Sequence, residues 1–384
     1  MNHATREFVR QRFMKYYRSG TLITPPSLEQ REWGFIFFDD SPDVRMRRHM
    51  AFGTPDEVMT YLRSMAPCHV YYSTAYYALP AASTMNDKVW SGADLIFDLD
   101  ADHIMRGPYD VMLARVKTET EKLLAMLTDE LGFAEKDISL AFSGGRGYHV
   151  HVRRLDIREW QSQERRELID YVCGIGIDPA VMLQGHPAPV TGWRRRYREA
   201  LAEYLEQYRQ LPPEDARKLL QDLPGIGRKS QLPKKIIANL DDIIGALHAG
   251  RRVSPDDRLI APLISPENTE FLRLLREKAA LADEPVTTDT KRLIRMPTSL
   301  HGGSGFRVTP LSVSEFAAFD PLQEAVVFGD NDVRIDAAMP LSMPILENRY
   351  TLTKGENTVP EALAVFLCCR GIAELAEAEV GRHA

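Results

Sequence analysis

Asp94-Leu95-Ile96-Phe97-Asp98-Leu99-Asp100-Ala101-Asp102 is the stretch on which the reading of this chain turns. Leu95 to Phe97 is an apolar run of branched and aromatic residues, the pattern of a buried strand. The run then breaks into acid. On an extended chain alternate side chains share a face, so Asp98 and Asp100 project together about 7 Å apart, two residue rises. Carboxylates that close repel each other and tend to hold a proton between them. A divalent cation removes the conflict, and paired hard oxygens completed by water and phosphate suit Mg²⁺ or Mn²⁺. The plainer reading is that an isolated Asp-x-Asp caps a strand and faces solvent.

A second stretch shifts the balance. Ser139-Leu140-Ala141-Phe142 reads as another strand and runs into Ser143-Gly144-Gly145-Arg146-Gly147-Tyr148-His149-Val150-His151-Val152. Three glycines let the backbone turn tightly and bring its N–H groups against an anion. Arg146 adds a fork of donors matched to phosphate oxygens. Beyond the turn His149 and His151 alternate with Tyr148, Val150 and Val152, so both histidines share one face. A glycine-rich turn alone is usually a hairpin connection. One that ends in His-x-His, after an Asp-x-Asp strand, is far more specific.

Together these motifs resemble those of the catalytic small subunit of archaeal and eukaryotic DNA primases. Asp98 and Asp100 match that family's hydrophobic-Asp-hydrophobic-Asp motif, and Ser143 to His149 its Ser-Gly-x-Arg-Gly-x-His motif. Arg292-Leu293-Ile294-Arg295-Met296-Pro297-Thr298-Ser299-Leu300-His301-Gly302 is similar to the block that follows the family's third Asp. The resemblance extends from about Tyr16 to about Pro310. It implies an α+β primase fold of mixed sheets flanked by helices, with a helical subdomain inserted. Residues 1–180 and 255–345 would form a discontinuous catalytic domain, and 181–254 the insert. The implied activity is template-directed synthesis of short RNA or DNA primers from NTPs or dNTPs. It would use a two-metal Mg²⁺ or Mn²⁺ site, a single-stranded DNA template and a primase large subunit as partner.

The resemblance also assigns roles. Asp98, Asp100 and a third Asp would be the catalytic metal ligands. Ser143, Arg146, His149, Arg295 and His301 would hold the nucleotide, and Glu32 and Arg48 match residues near it. For the third Asp two positions compete. Asp289 stands nearer His301 in a strand-like run, whereas Asp283 falls at the motif position when the pattern is laid back from His301 without a gap. Pro285 favours an extended conformation at Glu284, which suits a ligand entering at the start of a strand, so Asp283 is preferred. The chain departs from relatives in two places. Many carry a Cys/His zinc module soon after the Asp pair, but between Asp100 and Phe142 this chain has His103 and no cysteine, so no structural zinc is expected. Relatives often carry a Lys after the motif His, where Gly303 stands here. Either Arg295 and Arg307 suffice, or triphosphate affinity is lower.

The chain has 384 residues, 44% apolar and 27% charged, which fits two or three domains of an ordinary globular protein. Its formal charge of −6 announces no global affinity for nucleic acid, so any template must meet local basic patches. The cysteines Cys68, Cys173, Cys368 and Cys369 form no Cys-x-x-Cys pair and read as reduced thiols. No signal region or bilayer-length apolar run is present, so a cytoplasmic protein without a membrane segment is expected.

Periodicity predicts helices over Thr5–Arg18, Pro55–Met65, Pro108–Leu131 (stopped by Gly132), Arg158–Ile175 and Pro360–Val380, with 356–382 packed on the core as a C-terminal helix. Strands are predicted over Arg31–Phe38, Cys68–Ala75, Val286–Met296 and Gly305–Val308. A turn is expected at Asp39-Asp40-Ser41-Pro42 and a basic return over Val44–Phe52. Thr191–Lys235 is polar, helix-prone and rich in Arg. Its Pro224-Gly225-Ile226-Gly227 resembles the turn of helix-hairpin-helix modules, although a plain loop between helices fits better. Three other functions fit the same motifs: a primase-like repair polymerase or primase-polymerase, a non-catalytic nucleic-acid-binding subunit, and a metal-dependent phosphodiesterase.

Overall fold

The computed structural model describes residues 1–38, 45–186, 189–227 and 229–376, with His103 in its backbone alone. The expected turn at Asp39 to Pro42, Val44, and the expected helix beyond residue 376 lie outside the described residues.

In chain order the elements begin with α1 (His3–Ser19), β1 (Trp33–Ile36), β2 (Arg47–Met50), α2 (Pro55–Met65), β3 (His69–Ser73), β4 (Ala75–Tyr77) and β5 (Trp90–Ala93). Next come β6 (Leu95–Asp100), α3 (Ala101–Ile104), α4 (Tyr109–Ala125), β7 (Ile138–Phe142), β8 (Gly147–Val152) and α5 (Ser162–Cys173). A helical run follows: α6 (Pro179–Met182), α7 (Gly192–Arg209), α8 (Pro213–Gln221), α9 (Leu232–Ala238), α10 (Leu240–His248), α11 (Thr269–Glu277) and α12 (Glu284–Thr288). The chain continues with β9 (Leu293–Arg295), β10 (Thr309–Leu311), α13 (Val313–Phe316) and α14 (Pro321–Glu324). It closes with β11 (Asp332–Ala337), β12 (Leu341–Ile345), β13 (Asn348–Leu352), β14 (Gly355–Pro360), α15 (Glu361–Cys369) and β15 (Ala373–Leu375).

Packing divides the chain into two units. One comprises residues 1–121, 133–166 and 282 onward; the other comprises 122–132 and 167–281. The helical unit therefore takes in more chain than the insert expected at 181–254.

The first unit contains two four-stranded antiparallel sheets, ordered β2-β1-β3-β9 and β10-β7-β8-β6. A three-stranded sheet, β14-β11-β15, and the hairpins β12–β13 and β4–β5 complete it. Strand β6 is central to the argument. Leu95, Ile96, Phe97 and Leu99 are fully buried, as an apolar run without alternation requires, and each such side chain contributes about 1.5–3 kcal/mol. Its partner β8 is buried along its whole length. Their register sets Ile96 opposite His151, Asp98 opposite His149 and Asp100 opposite Gly147. Gly147 is obligatory there, because a Cβ would lie 2.1 Å from the Leu99 carbonyl oxygen.

Helix α2 forms where predicted: the Thr54 side chain accepts from the Glu57 amide, Pro55 opens the helix and Asp56 and Glu57 fill its first turn. Two expectations are corrected. Val286 to Met296 is not one strand. Pro285 sits in the first turn of α12, where its missing N–H is harmless, and only Leu293–Arg295 pairs as β9. The tail is not one helix over 356–382. Gly371, at φ 69°, ends α15 in the left-handed region, and the chain returns to pair β15 with β11. The Pro108–Leu131 helix ends in a π-helical turn over Met126–Glu130, and Gly132 stops it at φ 71° as expected.

The helical unit packs Leu201, Leu205, Leu220, Ile236, Leu240, Leu263 and Phe271 into its own core. Its arginine-rich start is largely internal. Arg196 pairs with Glu130 at 2.5 Å, and buried Arg198 donates to the carbonyls of Met182, Gln184 and Arg251. Pro224 to Gly227 lies in the connection between α8 and α9. Among the described residues no helix is long and apolar enough to cross a membrane.

Gly147→Ala is expected to part the β6–β8 pairing and destabilise the protein by about 1–3 kcal/mol. Denaturant melts check this, and an unchanged midpoint would contradict the close approach at Leu99.

Candidate active site

The strand register brings acid and imidazole together. Asp98 Oδ1 lies 3.7 Å from His149 Nε2, with 22% of the Asp98 side chain exposed. Asp283 joins them from α12: its amide donates to the Asp98 carbonyl at 2.8 Å. Burial first, and then the charges of Asp100 and Asp283, push the Asp98 carboxyl up to about 7, against the pull of Arg292 and Arg295. The three carboxylates thus converge at the mouth of the buried strand. Asp283 does so as the residue capping a short helix rather than starting a strand. Asp289 stands apart. It is exposed, its Oδ1 accepts from the Lys291 amide at 2.9 Å, and its charge acts on Tyr77 and Arg165. The plainer reading of the Asp pair holds in part, since Asp100 Oδ1 accepts from the Asp102 amide and caps α3.

The glycine turn faces the same end of the sheet. Ser143 Oγ accepts from the Gly145 and Gly147 amides at 3.2 and 3.3 Å, tying the turn closed. Arg146 reaches outward and pairs with Asp102. The 301–306 loop interlocks with the turn: Ser304 Oγ donates to the Gly144 carbonyl, and a Cβ on Gly144 would lie 2.7 Å from His301 Cβ. Gly144, at φ 74°, therefore serves both its own conformation and the seating of His301.

Both motif histidines are neutral. Burial first holds His149 and His301 well below the ordinary imidazole value, with His151 and Arg295 respectively adding to it. His301 Nδ1 accepts from the Gly303 amide at 3.0 Å, which assigns the ring proton to Nε2 and makes that nitrogen a donor. Gly303 is tight against this ring: a Cβ there would lie 3.1 Å from His301 Cε1.

Arg295 is held by a residue that the motifs did not flag. Its Nη1 lies 2.6 Å from His69 Nδ1, and its guanidinium stands 5.0 Å over the Tyr71 ring. His69 Nδ1 also takes the Gly302 amide at 3.2 Å. Burial, with Arg295 beside it, lowers the His69 pKa to about 3, so it acts as a neutral acceptor that positions Arg295 and the His301 loop. Arg292, whose charge reaches Asp98 and His149, was equally missed. Arg307 turns away to the Glu324 carbonyl at 3.0 Å.

Glu32 and Arg48 form their own cluster. Glu32 is fully buried and accepts from Arg48 Nε at 3.1 Å, Arg48 Nη2 at 3.3 Å and the His49 amide at 3.2 Å, with Lys88 Nζ at 3.8 Å. Its acceptors are turned inward, whereas 37% of the Arg48 side chain remains exposed.

Among the described residues no three His, Cys, Asp or Glu side chains are gathered tightly enough to cage an ion unaided. The donor set nevertheless fits a hard divalent cation. Asp98, Asp100 and Asp283 would hold it, with water and phosphate oxygens as further ligands, and its charge would offset the burial and the two neighbouring carboxylates that disfavour ionised Asp98.

The sign of the linkage follows from the raised Asp98 value. Such a carboxyl keeps its proton longer folded than unfolded, so ionising it costs stability as pH rises from the ordinary carboxylate range through about 7. Asp98→Asn is therefore expected to raise the melting temperature of metal-free protein at pH 8, with the gain shrinking at pH 5. A lower melting temperature for the variant at pH 8 would contradict carboxylate crowding.

Comparison with known proteins identifies the family. The family model for the DNA primase small subunit matches residues 97–313, which begin at Phe97 beside the Asp pair and run past His301. The DNA primase small subunit of Methanoregula boonei is 57% identical over 380 residues, covering 98% of this chain and 100% of that protein. Those of Methanosphaerula palustris and Methanocorpusculum labreanum are 53% and 52% identical, each over 98% of this chain and 100% and 99% of theirs. With this site, this mixed α+β architecture and full-length relatives above half identity, the chain belongs to the DNA primase small subunit family.

Proposed function

We propose that this primase small subunit is a nucleotidyltransferase that joins NTPs or dNTPs into short primers on a single-stranded DNA template. It would work in the cytoplasm, beside a primase large subunit, for DNA replication. The reading rests on one observation above all: Asp98, Asp100 and Asp283 converge facing the Ser143–Gly147 turn, Arg295 and His301.

The three carboxylates would hold Mg²⁺ or Mn²⁺, and no structural zinc is proposed, because no cysteine stands between Asp100 and Phe142 to build the soft site that many relatives carry there. When bound, such cations lower the barrier by activating the attacking hydroxyl and neutralising charge on the leaving pyrophosphate. The side chains do the rest. Asp98, whose carboxyl burial and then Asp100 and Asp283 keep protonated, would release that proton to solvent on taking up a cation. Arg295, held from behind by His69, and Arg146 offer guanidinium forks to phosphate oxygens. His301, whose Nε2 lies against Gly145 of the turn, would offer its N–H as a neutral donor to charge that accumulates during transfer. His149 lies against Asp98 and limits how that carboxylate can turn. Ser143 keeps the turn closed, so the phosphates meet a preformed backbone rather than a mobile loop.

The test is primer synthesis on single-stranded template with Mg²⁺ or Mn²⁺. Asp98→Ala, Asp100→Ala and Asp283→Asn are expected to abolish nucleotide addition, with Asp289→Asn active. A dead Asp289→Asn beside an active Asp283→Asn would overturn the trio. DNA degradation with metal alone, without nucleotides, would favour a phosphodiesterase instead.

His301→Ala and Arg146→Ala are expected to weaken nucleotide use by about 1.5–3 kcal/mol each, a tenfold to hundredfold effect. Steady-state kinetics with each nucleotide checks this, and unchanged constants would leave both residues structural only.

A further inference from the structure

A cation outside every motif stands at the glycine turn. Helix α15 packs its C-terminal end on the His301 loop: Phe366 stacks on Phe306 with ring centroids 5.1 Å apart. A Cβ on Gly305 would lie 2.6 Å from Val365 Cγ1 and 3.8 Å from Cys369 Sγ. The next residue, Arg370, caps the helix. Its guanidinium lies 5.6 Å over the ring of Tyr109, whose hydroxyl donates to the Gly145 carbonyl. Tyr109 therefore sits between the turn and Arg370, and the charges of Arg370 and Arg146 both act on it and on His301. Arg146 has an acid, Asp102. Arg370 is exposed and has no hydrogen bond or ion pair to its guanidinium among the described residues. Two guanidinium groups thus flank one turn; Arg146 is paired with Asp102 and Asp100 also acts on Tyr109, while the exposed fork of Arg370 is left open to an anion.

The position selects which part of a nucleotide that anion is. The carboxylates mark where the bond is made, and the cations acting on Asp98 are Arg292 and Arg295. Arg370 acts instead on His301 and Tyr109, on the turn's side of the site. We propose that Arg370 binds the terminal phosphates of the incoming nucleoside triphosphate, completing from the end of α15 a clamp begun by the glycine turn and His301. The fork of a guanidinium suits two oxygens at once, and the face of Tyr109 holds it in place by a cation–π contact. The inference rests on the site being a nucleotidyltransfer centre.

Equilibrium binding of nucleoside triphosphate and monophosphate, with Mg²⁺, to wild type, Arg370→Ala and Arg370→Lys tests it, alongside primer extension. The expected result is a tenfold to hundredfold loss of triphosphate affinity in Arg370→Ala, with monophosphate affinity unchanged. KM should rise while kcat holds, and Arg370→Lys, which keeps the charge without the fork, should recover part of the loss. Wild-type triphosphate affinity in Arg370→Ala would overturn the proposal, as would equal loss for monophosphate and triphosphate. A purely structural Arg370 at the helix end would lower the melting temperature of Arg370→Ala and leave the triphosphate-to-monophosphate ratio unmoved. If wild type neither binds triphosphate nor extends a primer, the parent reading of the site fails, and this inference with it.

Discussion

Three carboxylates meeting at the mouth of a buried strand are the constraint on which the rest of the site depends. Arg292 and Arg295 pull the Asp98 carboxyl down, yet burial, Asp100 and Asp283 hold it up near 7. The fold tolerates the crowding because the strand beneath is anchored by Leu95, Ile96, Phe97 and Leu99, all fully buried. Apolar burial of that extent outweighs one unfavourable ionisation.

The second half of the site is a matter of close packing rather than charge. Gly144 and Gly147 each stand where a side chain would strike something, His301 in one case and the Leu99 carbonyl in the other. Gly302 is pressed against His69 and the Cys68 carbonyl, at 2.7 and 2.8 Å from an added Cβ. The glycines let two loops from distant parts of the chain touch and bring neutral His301 under the turn. Neutral, buried imidazoles are suited to this position, because a charged one would have to be desolvated with Arg295 and Arg146 nearby.

The ion network behind the site shows how the same residue types serve structure. Asp94, on the motif strand's approach, is buried among Arg31, Arg153 and Tyr76, and against its burial His151, Arg31 and Arg153 hold its carboxyl far below the ordinary range. Glu32, Arg48 and Lys88 make a similar group. Aspartate four residues from Asp98 is thus a scaffold ion, and the difference lies in what faces each one.

Sequence by itself determined the elements whose information is local. The apolar run ending in Asp98 and Asp100, the Ser143–His149 turn, the capped α2 helix and the stop at Gly132 are written in residues a few positions apart, where strand period, glycine freedom and capping chemistry act directly. Laying the motif back from His301 likewise pointed to Asp283, which does join Asp98, although as a helix cap. What tertiary structure alone decided are the partnerships between remote segments. His69 holding Arg295, Arg292 reaching Asp98 and α15 carrying Arg370 to the Gly145 turn have no mark in the local pattern, because a strand histidine or a helix-end arginine looks the same whatever it packs against. The tail's break into β14, α15 and β15 belongs to the same class. Its apolar residues fit a long helix, and only the vacant pairing edge of β11 makes a strand the better use of Ala373 to Leu375.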